Sequence, residues 1–145
     1  MPARKRPLVL IVEDDADLGA SIVEYLRDEG LDAKHARDGD QAMRMVDALH
    51  PAVVVLDLMM PRRDGFSVLR ELRSDGRIVS LPVIVVTAIF GLSERLYATE
   101  LGAADYITKP FELGELFSRI VALLPADARP PGARPAGPDA APRAS

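Results

Sequence analysis

The chain has 145 residues and contains neither cysteine nor tryptophan, with only three tyrosines and four phenylalanines. Without cysteine there are no disulfides, no thiolate metal ligands and no sulfur nucleophile. Long apolar runs are missing as well. No stretch approaches the roughly 20 residues needed to cross a bilayer. The run behind the N-terminus, Leu8–Val12, is too short to be the core of a signal peptide. These absences predict a soluble, cytoplasmic protein with no membrane contact. What remains is globular in composition, 48% hydrophobic and 28% charged. The length suits one domain with one core.

Charge is unevenly distributed. Residues 1–7 form a basic arm with Arg4, Lys5 and Arg6, and residues 125–145 hold three arginines against two aspartates. The whole-chain charge of −4 therefore leaves −8 for residues 8–124. An acidic body repels a phosphate backbone, so no direct nucleic-acid binding is expected of it. The last 21 residues hold six Pro, seven Ala and two Gly but no large apolar side chain. Such a segment cannot bury enough surface to offset ordering entropy, and it reads as a disordered tail or linker.

Between these ends, short β-branched runs alternate with helical periodicity. Leu8–Val12, Leu31–Ala36, Ala52–Leu56, Val83–Val86 and Tyr106–Thr108 read as strands, the second more polar and so an edge. A helix is predicted over Ala16 to Glu29, where Leu18, Ile22 and Leu26 recur and Gly30 closes the turn. Ala42, Met43, Val46 and Leu49 stripe a second helix before Pro51, and Phe66, Leu69 and Leu72 mark a third before Asp75-Gly76. Ser93 is the expected cap of a fourth, with Leu96, Tyr97 and Leu101 behind it. Leu113, Leu116, Phe117, Ile120, Val121 and Leu124 form the stripe of a fifth. Five strands alternating with five helices imply an α/β fold, a doubly wound parallel sheet covered on both faces.

Four of the strands end on residues suited to phosphoryl chemistry: Glu13-Asp14, Asp57, Thr87 and Lys109. In an open parallel sheet the carboxyl ends of the strands share one edge, where these groups can meet. Two carboxylates ~5 Å apart at an effective dielectric of ~20 repel by roughly 3 kcal/mol, and a helix N-terminus offsets only ~0.3–1 kcal/mol of that. A divalent cation resolves the conflict, and an all-oxygen ligand set favours Mg²⁺, with Mn²⁺ an alternative. Each group has an ordinary explanation in isolation. Asp14, Asp15 and Asp17 suit a helix start, Asp57 a turn, Thr87 a strand end and Lys109 a surface. Their joint order supplies metal ligands, a nucleophile, a hydroxyl and a counter-charge.

The segments Val12-Glu13-Asp14-Asp15, Val55-Leu56-Asp57-Leu58-Met59-Met60-Pro61, Asp64-Gly65, Val86-Thr87-Ala88 and Ala104-Asp105-Tyr106-Ile107-Thr108-Lys109-Pro110-Phe111 resemble the receiver domain of two-component response regulators. The resemblance covers about residues 7–124 and implies a flavodoxin-like sheet in the order 2-1-3-4-5. It also implies that Asp57 is the phosphoacceptor, charged by a sensor histidine kinase or phosphotransfer protein. On the same resemblance Asp14, Asp57 and the backbone carbonyl of Met59 ligate Mg²⁺, with Glu13 acting through water. Thr87 and Lys109 then hold the phosphoryl oxygens, Tyr106 is a switch aromatic that turns inward as Thr87 moves, and the Lys109-Pro110 bond is cis. Receivers vary at the places of Met59 and Ile89. Both are apolar here, which predicts slow loss of the phosphoryl group.

Output is expected through the surface of the fourth helix, fifth strand and fifth helix, in a stand-alone signalling protein rather than an enzyme. The alternative is a receiver cut from a longer regulator within its Pro/Ala linker. A metal-dependent phosphatase of the haloacid dehalogenase type needs a second acid two residues after the first, where this chain has Met59. A flavodoxin needs a Ser/Thr/Gly-rich first loop in place of Glu13-Asp14-Asp15.

Overall fold

The computed structural model describes residues 6–61, 63–88 and 91–133. Among them, the order is β1 (Leu8–Val12), α1 (Ala16–Asp28), β2 (Asp32–Ala36), α2 (Gly39–Leu49), β3 (Val53–Leu56), α3 (Gly65–Ser74), β4 (Val83–Thr87), α4 (Leu92–Glu100), β5 (Asp105–Thr108) and α5 (Leu113–Leu123). A 3-10 turn follows α3 at Arg77–Val79 and another follows α5 at Ala126–Ala128. The strands form one parallel sheet in the order β2-β1-β3-β4-β5. That is the flavodoxin-like order implied by the resemblance.

The continuous apolar runs are buried on both faces because helices cover both. Alternate strand residues point to opposite sides, which divides the interior into two cores. On one side Leu10, Val12, Val54, Leu56, Val83 and Val85 meet Met43, Val46, Leu69 and Leu72 of α2 and α3. On the other, Val9, Ile11, Val53, Val55, Ile84 and Val86 meet Ile22 and Leu26 of α1 and Leu116 and Ile120 of α5. The edge position of β2 agrees with its polar sequence, Asp-Ala-Lys-His-Ala.

Helices α1, α2 and α3 start on aspartates whose side chains accept the free amides of the first turn: Asp15 from Asp17 and Leu18, Asp38 from Gln41, and Asp64 from Ser67. Helix α4 departs from this and from expectation. It begins at Leu92, and Ser93 lies inside its first turn, where its hydroxyl cannot serve as the cap; Gly91 holds that place with no side chain to offer. Helix α4 also buries only Ala98, leaving Leu92 and Leu96 exposed, while Tyr97 stacks on Phe66 with ring centroids 5.3 Å apart.

The Pro/Ala-rich stretch after α5 is described as far as residue 133. The Arg129 Nε–H donates to the Leu124 carbonyl at 3.2 Å, and Ala133 packs against the α1–α5 core. Pro130 fills the notch beside Gly30, where even a methyl group would come within 3.2 Å of its ring. Small side chains thus pack where the composition predicts no packing. Residues 134–145 and most of the basic arm, residues 1–5, lie outside the described residues. No helix among the described residues is long and apolar enough to cross a membrane.

Candidate functional site

The register of the sheet brings the strand ends together. Val12 pairs with Leu56, and the Asp57 amide donates to the Val12 carbonyl at 3.0 Å, so Glu13 and Asp57 leave neighbouring strands at the same level. On the far side Thr87 pairs with Thr108, and the Lys109 amide donates to the Thr87 carbonyl at 2.8 Å. The buried polar residues among those described are Glu13, Asp57 and Thr87, at 3%, 4% and 0% exposure. All three belong to the carboxyl edge of the sheet.

Lys109 joins the two halves. Its ammonium donates to Glu13 Oε1 at 2.6 Å and to Asp57 Oδ2 at 2.9 Å, the first of these across 96 positions in sequence. The Met59 amide donates to Asp57 Oδ1 at 2.9 Å, so both carboxylate oxygens of Asp57 are engaged. The Asp15 amide donates to Glu13 Oε2 at 3.3 Å. The Lys109-Pro110 bond is cis.

Burial pushes the Glu13 carboxyl up to about 7; hydrogen bonding and charge from Asp57 push the same way, and the Lys109 ammonium opposes them. For Lys109 itself, burial favours loss of the proton, but hydrogen bonds to Glu13 and Asp57 outweigh it, and the ammonium is held more firmly than usual. The Tyr106 hydroxyl is raised first by burial and then by the charge of Glu94, with Arg95 opposing.

Glu13, Asp14 and Asp57 each offer a carboxylate oxygen, and these oxygens lie within 4.8 Å of one another. Asp14 is exposed while the other two are buried, so the cluster has a floor and an open side. Three hard anionic oxygens at this spacing fit a cation such as Mg²⁺. Met59 is held beside them by its amide, although its side chain points outward at 56% exposure.

Tyr106 stands inward, at 7% exposure in the α2–α3 core, with the Arg95 guanidinium carbon 5.7 Å from its ring centre. Ile89 lies outside the described residues. The resemblance implies that Lys109 holds phosphoryl oxygens; its bond to Glu13 has no signature in the sequence, because strand-end position says nothing of side-chain reach. Sequence pattern does not single out His35 either, whose Nε2–H donates to the Glu13 carbonyl at 2.7 Å. The available signal was Gly19, a glycine on the buried side of α1.

A family model described as the response regulator receiver domain matches residues 9–121. The chain is 43% identical over 124 residues to the response regulator MprA of Mycolicibacterium vanbaalenii, covering 86% of this chain and 51% of that protein. It is 36% identical over 118 residues to the DNA-binding dual master transcriptional regulator RpaA of Synechocystis, covering 81% and 49%. The chain therefore spans about half the length of these relatives. Among solved structures, the receiver domain of Francisella response regulator 1452 is similar at 33% identity and a TM-score of 0.76, covering 81% of this chain and 96% of that one. The non-phosphorylated HemR receiver domain of Leptospira biflexa is similar at 34% identity and 0.74, covering 81% and 94%.

Proposed function

The chain belongs to the response regulator receiver family of two-component signalling, and on that premise we propose that Asp57 accepts a phosphoryl group from a phosphohistidine of a sensor kinase or phosphotransfer protein. A carboxylate oxygen of Asp57 attacks phosphorus, and the P–N bond breaks with its electron pair going to the imidazole, which takes a proton from solvent. Asp57 is left as an acyl phosphate. The observation that carries this reading is the meeting of Lys109 with the buried carboxylates of Asp57 and Glu13 in one cluster.

Asp14, Asp57 and the Met59 carbonyl would hold Mg²⁺, with Glu13 acting through water, and the bound ion would supply positive charge against the transferred group. Lys109 exchanges a carboxylate partner for a phosphoryl oxygen, and the Thr87 hydroxyl donates to another. The domain is a signalling module rather than a conventional enzyme. Thr87 and Tyr106 relay the new charge by shifting an existing two-state equilibrium, which alters the surface of α4, β5 and α5 for a downstream partner. The burial of Tyr106 supports its inward position as one of those two states. The apolar Met59 side chain offers no group to position an attacking water, which supports slow loss of the phosphoryl group.

Residues 8–124 act as the receiver, with residues 1–7 and 125–145 as appendages. The net charge of −8 supports a reading in which this unit makes no direct nucleic-acid contact. A second reading rests on the relatives, about twice as long and in one case described as DNA-binding: the same receiver governs an attached output domain.

Incubation with a small phosphodonor and Mg²⁺ should add one phosphoryl group to the protein and none to Asp57→Asn. Undiminished labelling of the variant would remove the assignment. Comparing pull-downs with and without the phosphodonor then identifies the output partner.

A further inference from the structure

The backbone of Glu13 is held on both sides, at its amide and at its carbonyl, by consecutive residues of β2. Backbone pairing of β1 with β2 closes at Val12 and Ala36, and the Glu13 amide adds one more bond, donating to the Ala36 carbonyl at 3.0 Å. The Glu13 carbonyl lies beyond that ladder. It is held instead by a side chain, the Nε2–H of His35, at 2.7 Å. A carbonyl only accepts, so Nε2 carries a hydrogen whether the ring is neutral or charged. This bond orients the Glu13–Asp14 peptide on one side of Asp14, the exposed member of the acid cluster, while the Asp15 amide, bonded to Glu13 Oε2 at 3.3 Å, holds the peptide on the other side.

The ring has room because α1 presents a glycine to it. A Cβ on Gly19 would lie 2.7 Å from His35 Nδ1 and nearer still to Cε1 and Nε2. The Gly19 backbone is ordinary helix, its amide bonded to the Asp15 carbonyl at 2.9 Å, so chain conformation does not call for glycine there. In a helix interior alanine is the better residue. The place of Gly19 is accounted for by the imidazole against it.

We propose that His35 is a positioning residue for the cation site, setting the Glu13–Asp14 peptide through its bond to the Glu13 carbonyl, and that Gly19 is its steric partner. The proposal rests on the reading of Glu13, Asp14 and Asp57 as a Mg²⁺ site. Groups that orient metal ligands from one bond away typically change affinity by about 10–100-fold, and an effect through the backbone belongs near the lower figure.

Mg²⁺ titration of the full chain by calorimetry tests this, together with the ring's nitrogen spectrum in metal-free protein. His35→Ala should weaken Mg²⁺ binding about tenfold. Gly19→Ala, which keeps the histidine but evicts its ring, should do the same although it favours the helix. The double variant should bind no more weakly than His35→Ala, since alanine at 19 then has nothing to displace. The nitrogen spectrum should show hydrogen on Nε2. Parent-like affinity in His35→Ala, additive losses in the double variant, or a ring protonated on Nδ1 alone overturns the proposal. Labelling that persists in Asp57→Asn would instead remove the phosphoacceptor reading and leave these affinity ratios untouched.

Discussion

Replacing Gly65 with alanine sets two rules against each other at the site itself. Gly65 opens α3, and its φ is not in the left-handed region, so helix propensity favours alanine by about 0.4–1 kcal/mol. Against this, a Cβ there would lie 2.7 Å from Leu58 Cα and 2.9 Å from the carbonyl carbon of Asp57, and closer still to the Asp57 oxygen. All three are backbone atoms of the loop that carries Asp57. That loop is already tied to α3, because the Gly65 amide donates to the Leu58 carbonyl at 3.0 Å. Side chains can swing away from a clash; this backbone cannot without breaking a bond or moving Asp57.

Overpacking of this kind typically costs 1–3 kcal/mol, and the middle of that range less the middle of the propensity gain leaves a net loss of about 1.3 kcal/mol. For a domain of this size that corresponds to a fall in Tm of roughly 3–8 °C. Gly114→Ala is the control. Gly114 occupies the first turn of α5, and its Cβ would meet only the Tyr25 hydroxyl, at 3.4 Å, so alanine there should be neutral or stabilising. Urea unfolding with a constant m-value reads both, and Mg²⁺ affinity should fall in Gly65→Ala alone. A Gly65→Ala protein as stable as its parent would refute the steric reasoning.

Lys109→Met should destabilise the metal-free protein by about 3 kcal/mol, near the low end for stripping a buried ion pair because the lysine is 22% exposed. Saturating Mg²⁺ should recover much of that in urea unfolding; an unchanged midpoint without metal contradicts the pairing. The raised Glu13 carboxyl makes metal-free stability pH-dependent. Its contribution is whole below about 4.5, where the unfolded chain also holds the proton, and is lost as pH rises through about 7. Unfolding midpoints should therefore fall from pH 5 to pH 8 more steeply in the parent than in Glu13→Gln, and equal slopes would contradict the assignment. Mg²⁺ binding should run the opposite way, weakening as pH falls through about 7, as calorimetry at pH 6 and 8 can show. Leu116→Ala, at a fully buried site in the α1–α5 core, should cost 2–5 kcal/mol while leaving Mg²⁺ affinity near that of the parent.

The sequence showed the sheet most clearly where strands are buried on both faces. β1, β3 and β4 stand out as apolar runs, with only Thr87 at the carboxyl end of β4 polar, because a polar side chain buried between two helix layers loses its hydration. Asp15, Asp38 and Asp64 cap their helices through bonds of a few residues' range, which local pattern can register. Ser93 misled because a serine near a helix start can lie on either side of the boundary, and the choice depended on Gly91. Convergence of Glu13, Asp57 and Lys109 follows from topology, whereas the Lys109–Glu13 bond depends on how far a side chain reaches. Packing of residues 125–133 left no mark because proline and alanine carry no periodic pattern. His35 and Gly19 are each unremarkable alone and acquire meaning only as neighbours in space.

Helix α4 is fastened to the sheet by one buried alanine, where α1, α2, α3 and α5 each bury four residues. Shifting it disturbs far less apolar contact than shifting any other helix, so in the hierarchy of local openings it stands nearest the surface. Strand β5, whose Tyr106 ring lies 5.7 Å from the Arg95 guanidinium of this helix, leads directly into Lys109. If Lys109 takes up a phosphoryl oxygen as proposed, the change of charge would arise beside the helix that offers the least resistance, and re-seating that helix would displace a single fully buried side chain, Ala98, from the core.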